Sequence, residues 1–293
     1  MQIYDREKKS HYTEKQFADK KLHLLYKTPT GRLLLRVAIS RRWFSNLLAV
    51  PNNLQRSTRK IPAFIKEFEI DMERFEKANY KSFNDFFTRR INPKNTPQIP
   101  KADILAAPAD AKLLAYPINE QLCLSIKEMP YKVSDLLGNL QHSANFSGGM
   151  CLVFRLTVDD YHRFSYIDSG TLIESQNLPG TLHTVGPYSD GKIKVLSQNH
   201  RIVSLLKTEN FGKVAEIDVG ALMVGRICIH KKPNFSKGEE RGYFSYGGST
   251  IVLLFEAGKI ELCEDIRQQS QNGIETRVRL GDKVGRKFSE KES

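Results

Sequence analysis

The sequence has only four cysteines, a single tryptophan and no long uninterrupted apolar run. The cysteines lie far apart and lack the short Cys and His spacings of a zinc site, so no metal site is predicted. They are typical of buried thiols in a reducing compartment. The N-terminus is charged and lacks the apolar core of a secretory signal, and no segment is apolar over the length that a spanning helix needs. These absences indicate a cytoplasmic protein or one attached to the cytoplasmic face of a membrane.

The composition indicates a folded protein with acidic partners. The chain has 293 residues, is 40% hydrophobic and contains only 12 prolines, so it can bury a substantial core. Its formal net charge of +12 favours anionic lipid headgroups or nucleic acid as partners. It has no internal repeat and no low-complexity tract.

Two kinds of pattern divide the chain near residue 100. Helical patterns fill Ile61–Arg90, and the second of them, "SFNDFFTRRI", opens with Ser82 as its N-cap. The proline-containing segment "NPKNTPQIPK" then predicts a linker. Short runs rich in β-branched residues dominate the remainder, separated by turns that contain glycine. We therefore expect an α+β protein, with a mostly helical region over residues 1–100 and an antiparallel β-rich catalytic or binding domain over residues 101–293.

The segment "GRLLLRVAISRRWFSNLLAV" combines apolar bulk with dispersed arginines. It is too charged to span a bilayer, but it suits a helix at the level of the headgroups, with Trp43 near the interface and arginines on anionic phosphates. An ordinary amphipathic helix packed on the protein's own core gives the same pattern.

The stretch "YFSYGGSTIVLL" places two glycines and a serine immediately before an apolar strand. Glycine tolerates the backbone distortion that lets a following serine hydroxyl attack the preceding carbonyl, which would replace the peptide bond by an ester. Elimination and hydrolysis would then leave a pyruvoyl group, a ketone that can form a Schiff base with a substrate amine. Taken alone, the same residues also fit a simple turn.

Five collinear stretches together resemble the phosphatidylserine decarboxylases. They are Phe83–Ile91 "FNDFFTRRI", Ala107–Leu113 "APADAKL", Asp160–Phe164 "DYHRF", Val219–Ile227 "VGALMVGRI" and Lys237–Ile260 "KGEERGYFSYGGSTIVLLFEAGKI". The resemblance covers most of the chain, and the total length is similar to that of the shorter bacterial members.

The resemblance implies a set of site residues. Ser249 is the expected pyruvoyl precursor, with self-cleavage between Gly248 and Ser249, and Asp110 and His162 are the expected catalytic partners. An aspartate that orients an imidazole, which in turn removes the serine proton, repeats the logic of hydrolytic triads. The self-generated pyruvoyl group is the only cofactor expected, and no metal is.

Two positions depart from the family pattern. Ala111 replaces the glycine that usually follows the motif aspartate, and Ser165 replaces a second histidine, the usual proton acceptor of self-cleavage. A serine hydroxyl cannot act as a general base near neutral pH. Three explanations remain open: His162 serves both steps, the substitution was introduced to trap a precursor, or the chain is a slow or inactive relative. His183 and His200 are candidate substitutes without local support.

The implied reaction converts phosphatidylserine to phosphatidylethanolamine and CO₂, with His162 as the best available proton donor. The expected partners are an anionic phospholipid membrane and the α and β chains of the protein's own cleavage; nucleic acid is not expected, and a homodimer is left open. Because this substrate stays in its bilayer, the resemblance also implies a peripheral place on the cytoplasmic face of the cell membrane, with residues 1–100 as the membrane-associating region. The alternatives are an unprocessed or weakly active relative, a decarboxylase of a soluble amino acid, and a non-enzymatic lipid-binding protein.

Overall fold

The computed structural model describes residues 1–14, 19–35, 50–138, 140, 142–184, 194–221 and 226–289. Helices and large antiparallel sheets are combined, which confirms the α+β class. The α-helices are α1 (Asp19–Lys27), α2 (Pro29–Leu34), α3 (Ile61–Glu67), α4 (Phe83–Phe87), α5 (Val133–Leu137), α6 (Val195–Gln198) and α7 (Glu264–Gln271). Ser82 caps α4 as the sequence predicts, because its side chain accepts a hydrogen bond from the Asp85 amide.

Most strands belong to one ten-stranded sheet in the order β13-β9-β10-β11-β15-β7-β4-β17-β1-β2. Smaller sheets have the orders β12-β14-β8, β16-β18-β3 and β5-β6. The strands are β1 (Gln2–Asp5), β2 (Ser10–Thr13), β3 (Ile104–Ala106), β4 (Ala111–Pro117), β5 (Cys123–Ile126), β6 (Met129–Lys132), β7 (Met150–Leu156), β8 (Arg163–Ser165), β9 (Gly170–Leu178), β10 (Arg201–Thr208), β11 (Lys213–Gly220), β12 (Ile227–Ile229), β13 (Asn234–Phe235), β14 (Glu240–Phe244), β15 (Ser249–Phe255), β16 (Ile260–Leu262), β17 (Glu275–Val278) and β18 (Lys283–Lys287).

Strand β15 lies inside the large sheet, antiparallel to β11 on one side and to β7 on the other. Ile251 and Leu253 pack into one core cluster, and Val252 and Leu254 pack into the cluster on the opposite face. A strand covered on both faces needs apolar residues at successive positions, which explains the run "TIVLLF". Ser249 therefore begins a strand that is held from both sides and buried on both faces.

The first residues of the chain form a hairpin that the sequence patterns did not predict. Strand β1 joins the large sheet through a parallel pairing with β17, and β2 pairs with β1 at the sheet edge. Just beyond β2, the Glu14 carboxylate accepts a hydrogen bond from Arg155 on β7 at 2.8 Å. Residues 1–100 thus contribute strands as well as helices, and the division near residue 100 stays a prediction.

The segment proposed to lie at the membrane is described only in part. Within α2, the Leu33 and Leu34 side chains are 62% and 54% exposed, and Leu24 on α1 is 61% exposed. Residues 36–49, including Trp43, lie outside the described residues. Among the helices that the structure describes, none combines the length and the apolar character required to cross a bilayer.

Candidate active site

Ser249 is enclosed where β11, β15 and β7 lie side by side. It pairs with Gly220 on β11 and with Leu156 on β7, and it is completely buried. Among the residues that the structure describes, none forms a hydrogen bond with its hydroxyl. A buried polar group left unpaired costs about 1–3 kcal/mol, so such a group needs a reason to be kept. The hydroxyl is free to react instead of being consumed by a structural contact.

The two glycines before Ser249 meet different requirements. Gly247 has a φ of +135°, a conformation that favours glycine over any other residue. At Gly248 space is not limiting, because a β-carbon there would lie 3.7 Å from its nearest neighbour, the Leu156 carbonyl oxygen. The strained turn is therefore made by Gly247, while the carbonyl of Gly248 leads directly into Ser249.

His162 is completely buried, and its ring stacks on Phe87 with the centroids 4.2 Å apart. Its Nε2 atom lies 2.9 Å from the Thr157 carbonyl oxygen. A carbonyl oxygen only accepts hydrogen bonds, so Nε2 carries the proton and Nδ1 keeps a lone pair. The buried Nδ1 atom has no hydrogen-bond partner within the described part of the chain. Burial, reinforced by the Arg89 guanidinium, lowers the pKa of His162 to about 3, so the ring is neutral at pH 7.

A buried ion pair holds the residue that orients His162. The Asp160 carboxylate accepts hydrogen bonds from the Thr157 amide at 2.7 Å and from its hydroxyl at 2.9 Å. The Lys112 ammonium donates to Asp160 at 2.7 Å. Burial raises the pKa of Asp160 to about 6, an increase that Lys112 limits, so the pair is ionised at pH 7. Lys112, Asp160 and Thr157 thereby fix the carbonyl to which His162 is bound.

Several contacts bring His162 to the end of β15 that Ser249 occupies. Thr157 directly follows Leu156, the residue that pairs with Ser249. The His162 carbonyl accepts a hydrogen bond from the Phe244 amide at 3.0 Å. The structure thus brings the predicted cleavage site and the predicted histidine into one neighbourhood.

Asp110 lies just before β4 and has partners other than His162. Its carboxylate accepts hydrogen bonds from both terminal nitrogens of Arg74, one at 2.9 Å, and from the Leu280 amide at 2.8 Å. The expected hydrogen bond between aspartate and imidazole does not join these two residues, and Thr157 orients His162 in its place. The role assigned to Asp110 stays a prediction.

The two positions that depart from the family pattern have different surroundings. Ala111 begins β4 in extended backbone and is buried in the core, so its methyl group is accommodated without strain. Ser165 ends β8 and lines a cavity of about 270 Å³, together with Tyr161 and Leu280. The Ser165 amide donates to the Pro108 carbonyl at 2.9 Å, two residues before Asp110.

The family model for phosphatidylserine decarboxylase matches residues 83–286. "Phosphatidylserine decarboxylase proenzyme 2" of Clostridium acetobutylicum is 48% identical over 283 residues, which cover 97% of each chain. The "Phosphatidylserine decarboxylase proenzyme" of Clostridium novyi is 38% identical over 98% of this chain and 100% of the relative. The protein of the same name from Clostridium tetani is 37% identical over 99% of this chain and 100% of its own.

The chain belongs to the phosphatidylserine decarboxylase family. The resemblance found in the sequence motifs is therefore confirmed. Membership supports a decarboxylase made as a zymogen that acts in phospholipid biosynthesis.

The other two histidines considered for this decarboxylase site make their side-chain contacts elsewhere. His183 Nδ1 lies 3.4 Å from the Tyr26 hydroxyl, and His200 Nε2 lies 2.8 Å from the Asn177 side-chain oxygen. The backbone of His200 is nearer than the sequence suggests, because its carbonyl accepts a hydrogen bond from the Gly220 amide.

Sequence reasoning missed the residues that support His162. Lys112 and Asp160 lie within the quoted motifs "APADAKL" and "DYHRF" but received no role. A lysine between the apolar residues of a buried strand was the available signal, since such a charge requires a partner. Thr157 had no signal, because it acts through its carbonyl oxygen.

Proposed function

We propose that this chain is a phosphatidylserine decarboxylase proenzyme that cleaves itself between Gly248 and Ser249 and converts Ser249 into a pyruvoyl group. The observation that carries the proposal is the buried, unpartnered Ser249 hydroxyl at the start of β15. It follows the glycine-specific conformation of Gly247. Such a site fits a group made from the serine itself.

In this proposal His162 moves the proton of the first step. Its unpartnered Nδ1 atom accepts the Ser249 hydroxyl proton while the oxygen attacks the Gly248 carbonyl carbon. The C–N bond then breaks, and the amine of Ser249 leaves with the proton, so that an ester links the two residues. Loss of the ester's carboxylate by elimination separates the chains, and hydrolysis releases ammonia and leaves the pyruvoyl group.

A pyruvoyl group at position 249 would supply a ketone for the substrate amine and an electron sink for the loss of CO₂. The chain's own residues provide the surroundings. Phe87 and the core residues beside it exclude water, and His162, held by Thr157, moves a proton at Nδ1. Asp110 is fixed by Arg74 and the Leu280 amide.

Peripheral attachment to the cytoplasmic face of an anionic membrane is part of the proposal. The exposed leucines Leu24, Leu33 and Leu34 support it, as does the net charge of +12. An enzyme whose substrate stays in the bilayer requires such a contact.

Intact mass under denaturing conditions tests the proposal most directly. The purified chain should yield two species that correspond to residues 1–248 and 249–293, the second of them reactive toward hydroxylamine. Ser249→Ala should remain one chain. Thr250→Ala is the matched control, because Thr250 is equally buried and its hydroxyl also lacks a partner. A single uncut species that stays folded and releases no CO₂ from phosphatidylserine would contradict the proposal.

A further inference from the structure

A polar cavity of about 520 Å³ lies beside the turn that leads into Ser249. The residues that line it include Asn52, Asn53, Asn84, Asp85, Arg226 and Tyr246. No residue of the expected cleavage site lines it, so its chemistry is not explained by self-cleavage.

Arg226 is an exposed cation that lines this cavity together with the carboxylate residue Asp85. Its carbonyl accepts a hydrogen bond from the Ser245 amide at 2.9 Å, which holds its backbone against the turn. Within the part of the chain that the structure describes, its guanidinium has no ion pair, whereas Arg163 pairs with Glu240 at 2.8 Å. A planar guanidinium matches the oxygens of a phosphate, with which it forms two parallel hydrogen bonds.

The amides beside Arg226 also favour an anion. The side-chain oxygen of Asn53 accepts a hydrogen bond from Asn84, and that of Asn52 accepts one from Lys60, at 3.0 and 2.9 Å. Because their acceptor atoms are used inside the protein, Asn52 and Asn53 retain N–H donors for a ligand.

The cavity is joined to the candidate active site by a chain of contacts. Asn84 accepts a hydrogen bond from the Tyr246 amide at 3.0 Å. The Tyr246 ring packs on Phe87 at 5.1 Å, and Phe87 stacks on His162 at 4.2 Å. Tyr246 is three residues before Ser249, a separation of roughly 10 Å at most. Packed contacts through Tyr246 and Phe87 therefore connect the cavity to the buried His162.

We propose that this cavity binds the anionic phosphodiester of the serine headgroup, with Arg226 as its guanidinium partner. The inference rests on the proposed decarboxylase function and names what selects the substrate. A soluble amino acid has no phosphodiester, so the same contact would separate a phospholipid substrate from free serine.

Steady-state kinetics on phosphatidylserine in mixed micelles test the assignment. Arg226→Gln should raise KM about 10- to 100-fold, the loss expected for one charge-assisted contact, with kcat nearly unchanged. Arg226→Lys keeps the charge, so its KM should lie between that of the parent chain and that of Arg226→Gln. Arg286→Gln, which removes an exposed arginine paired with Glu261, is the matched control and should behave like the parent chain. The extent of self-cleavage reports folding, since that step needs no lipid.

A soluble probe supplies a second measurement that requires no variant. Glycerophosphoserine should inhibit the parent enzyme competitively, L-serine at the same concentration should not, and Arg226→Gln should weaken the inhibition in proportion to its KM. Unchanged KM in Arg226→Gln, or equal inhibition by both probes, would overturn the headgroup site. Absence of both cleavage and CO₂ release in the parent chain would instead contradict the proposed function, so the two failures are distinguishable.

Discussion

His162 and Thr157 are joined by a contact of 2.9 Å between Nε2 and a carbonyl oxygen, and this contact determines which imidazole nitrogen can accept a proton. The remaining nitrogen, Nδ1, is buried without a partner. With a pKa lowered to about 3, it is always in its accepting form at neutral pH but is a weak base. Under the proposed chemistry this nitrogen would accept the Ser249 proton slowly, because its basicity is low.

Replacing Ser165 with histidine should accelerate self-cleavage. Ser165 lines a cavity of about 270 Å³, and its amide bonds to the segment that carries Asp110. An imidazole there would be a stronger base than buried His162, and we expect a gain of about 10- to 100-fold, below the full effect of a positioned base because His162 already serves in part. Electrophoresis over time after synthesis measures the conversion. Adding Ser249→Ala to this variant should abolish self-cleavage. Equal self-cleavage rates in the parent chain and in Ser165→His would refute the prediction.

Replacing Asp160 with asparagine should slow self-cleavage by loosening Thr157. The variant loses the charge that binds Lys112 while keeping a similar shape. The buried Lys112 ammonium would keep only its longer contacts with Glu14 and Asp159, at 3.7 and 3.8 Å, so the free energy of unfolding should fall by up to about 3 kcal/mol. Asp159→Asn is the control, because Asp159 is 40% exposed and lies 3.8 Å from Lys112. Self-cleavage rates should be compared at equal folded fraction, which separates the positioning of Thr157 from the loss of stability. Identical rates in Asp160→Asn and the parent chain would exclude a positioning role for Asp160.

The buried state of His162 should make the protein sensitive to mild acid. Its pKa is about 3 in the folded chain against 6.5 for the free side chain, so the unfolded state binds more protons between these values. Stability from this group is complete above pH 6.5 and falls as the pH decreases toward 3, by about 2 kcal/mol at pH 5. Urea unfolding of His162→Gln should lose this slope, whereas exposed His23→Gln should keep it. Equal slopes in all three proteins would be inconsistent with a buried neutral imidazole.

The two chains produced by cleavage should remain together in reducing buffer. Strand β15 begins at the cut and lies between β11 and β7, with every residue buried. Withdrawal of "STIVLLF" would expose both core clusters to water. Both chains should elute as one species from a native sizing column; separate peaks would contradict this.

Replacing Leu24, Leu33 and Leu34 with serine should weaken binding to anionic liposomes. These side chains are largely exposed, so their removal changes surface apolar area more than the core. Ile173→Ser combined with Phe288→Ser removes similarly exposed residues from β9 and the chain end and serves as the control. Adding serine at Trp43, Phe44 and Leu47 should reduce flotation further. Equal flotation of all variants would exclude attachment through this region.

The secondary-structure elements that neighbouring residues in the sequence determine could be predicted. The apolar run after Ser249 predicted β15, and the N-cap at Ser82 predicted the start of α4. The hairpin at the N-terminus was missed because β1 pairs with β17, at Ile3 opposite Glu275, across almost the whole chain. The pattern of hydrophobic residues within one strand does not indicate which distant strand pairs with it.

The charged core residues were equally hard to predict. Glu216 and Asp218 lie on a buried strand and share Arg241, at 3.3 and 2.6 Å. In the site, Ser249, Asp110 and His162 followed from motifs, whereas the contact of Asp110 with Arg74 and that of His162 with Thr157 arise only when separate segments meet. The pairing of buried charges and the orientation of backbone carbonyls depend on the tertiary structure, so the sequence motifs do not predict them.

Under the proposed function, the position of Ser249 between Gly220 and Leu156 would also make formation of the pyruvoyl group depend on correct folding. The hydroxyl, the turn at Gly247 and the histidine come together only after β7, β11 and β15 have assembled in register. A chain that misfolds, or that stops before its last strands are made, never aligns these groups. Under the proposed chemistry such a chain carries no reactive carbonyl, so the cell never contains an active decarboxylase that has not first passed through its complete native sheet.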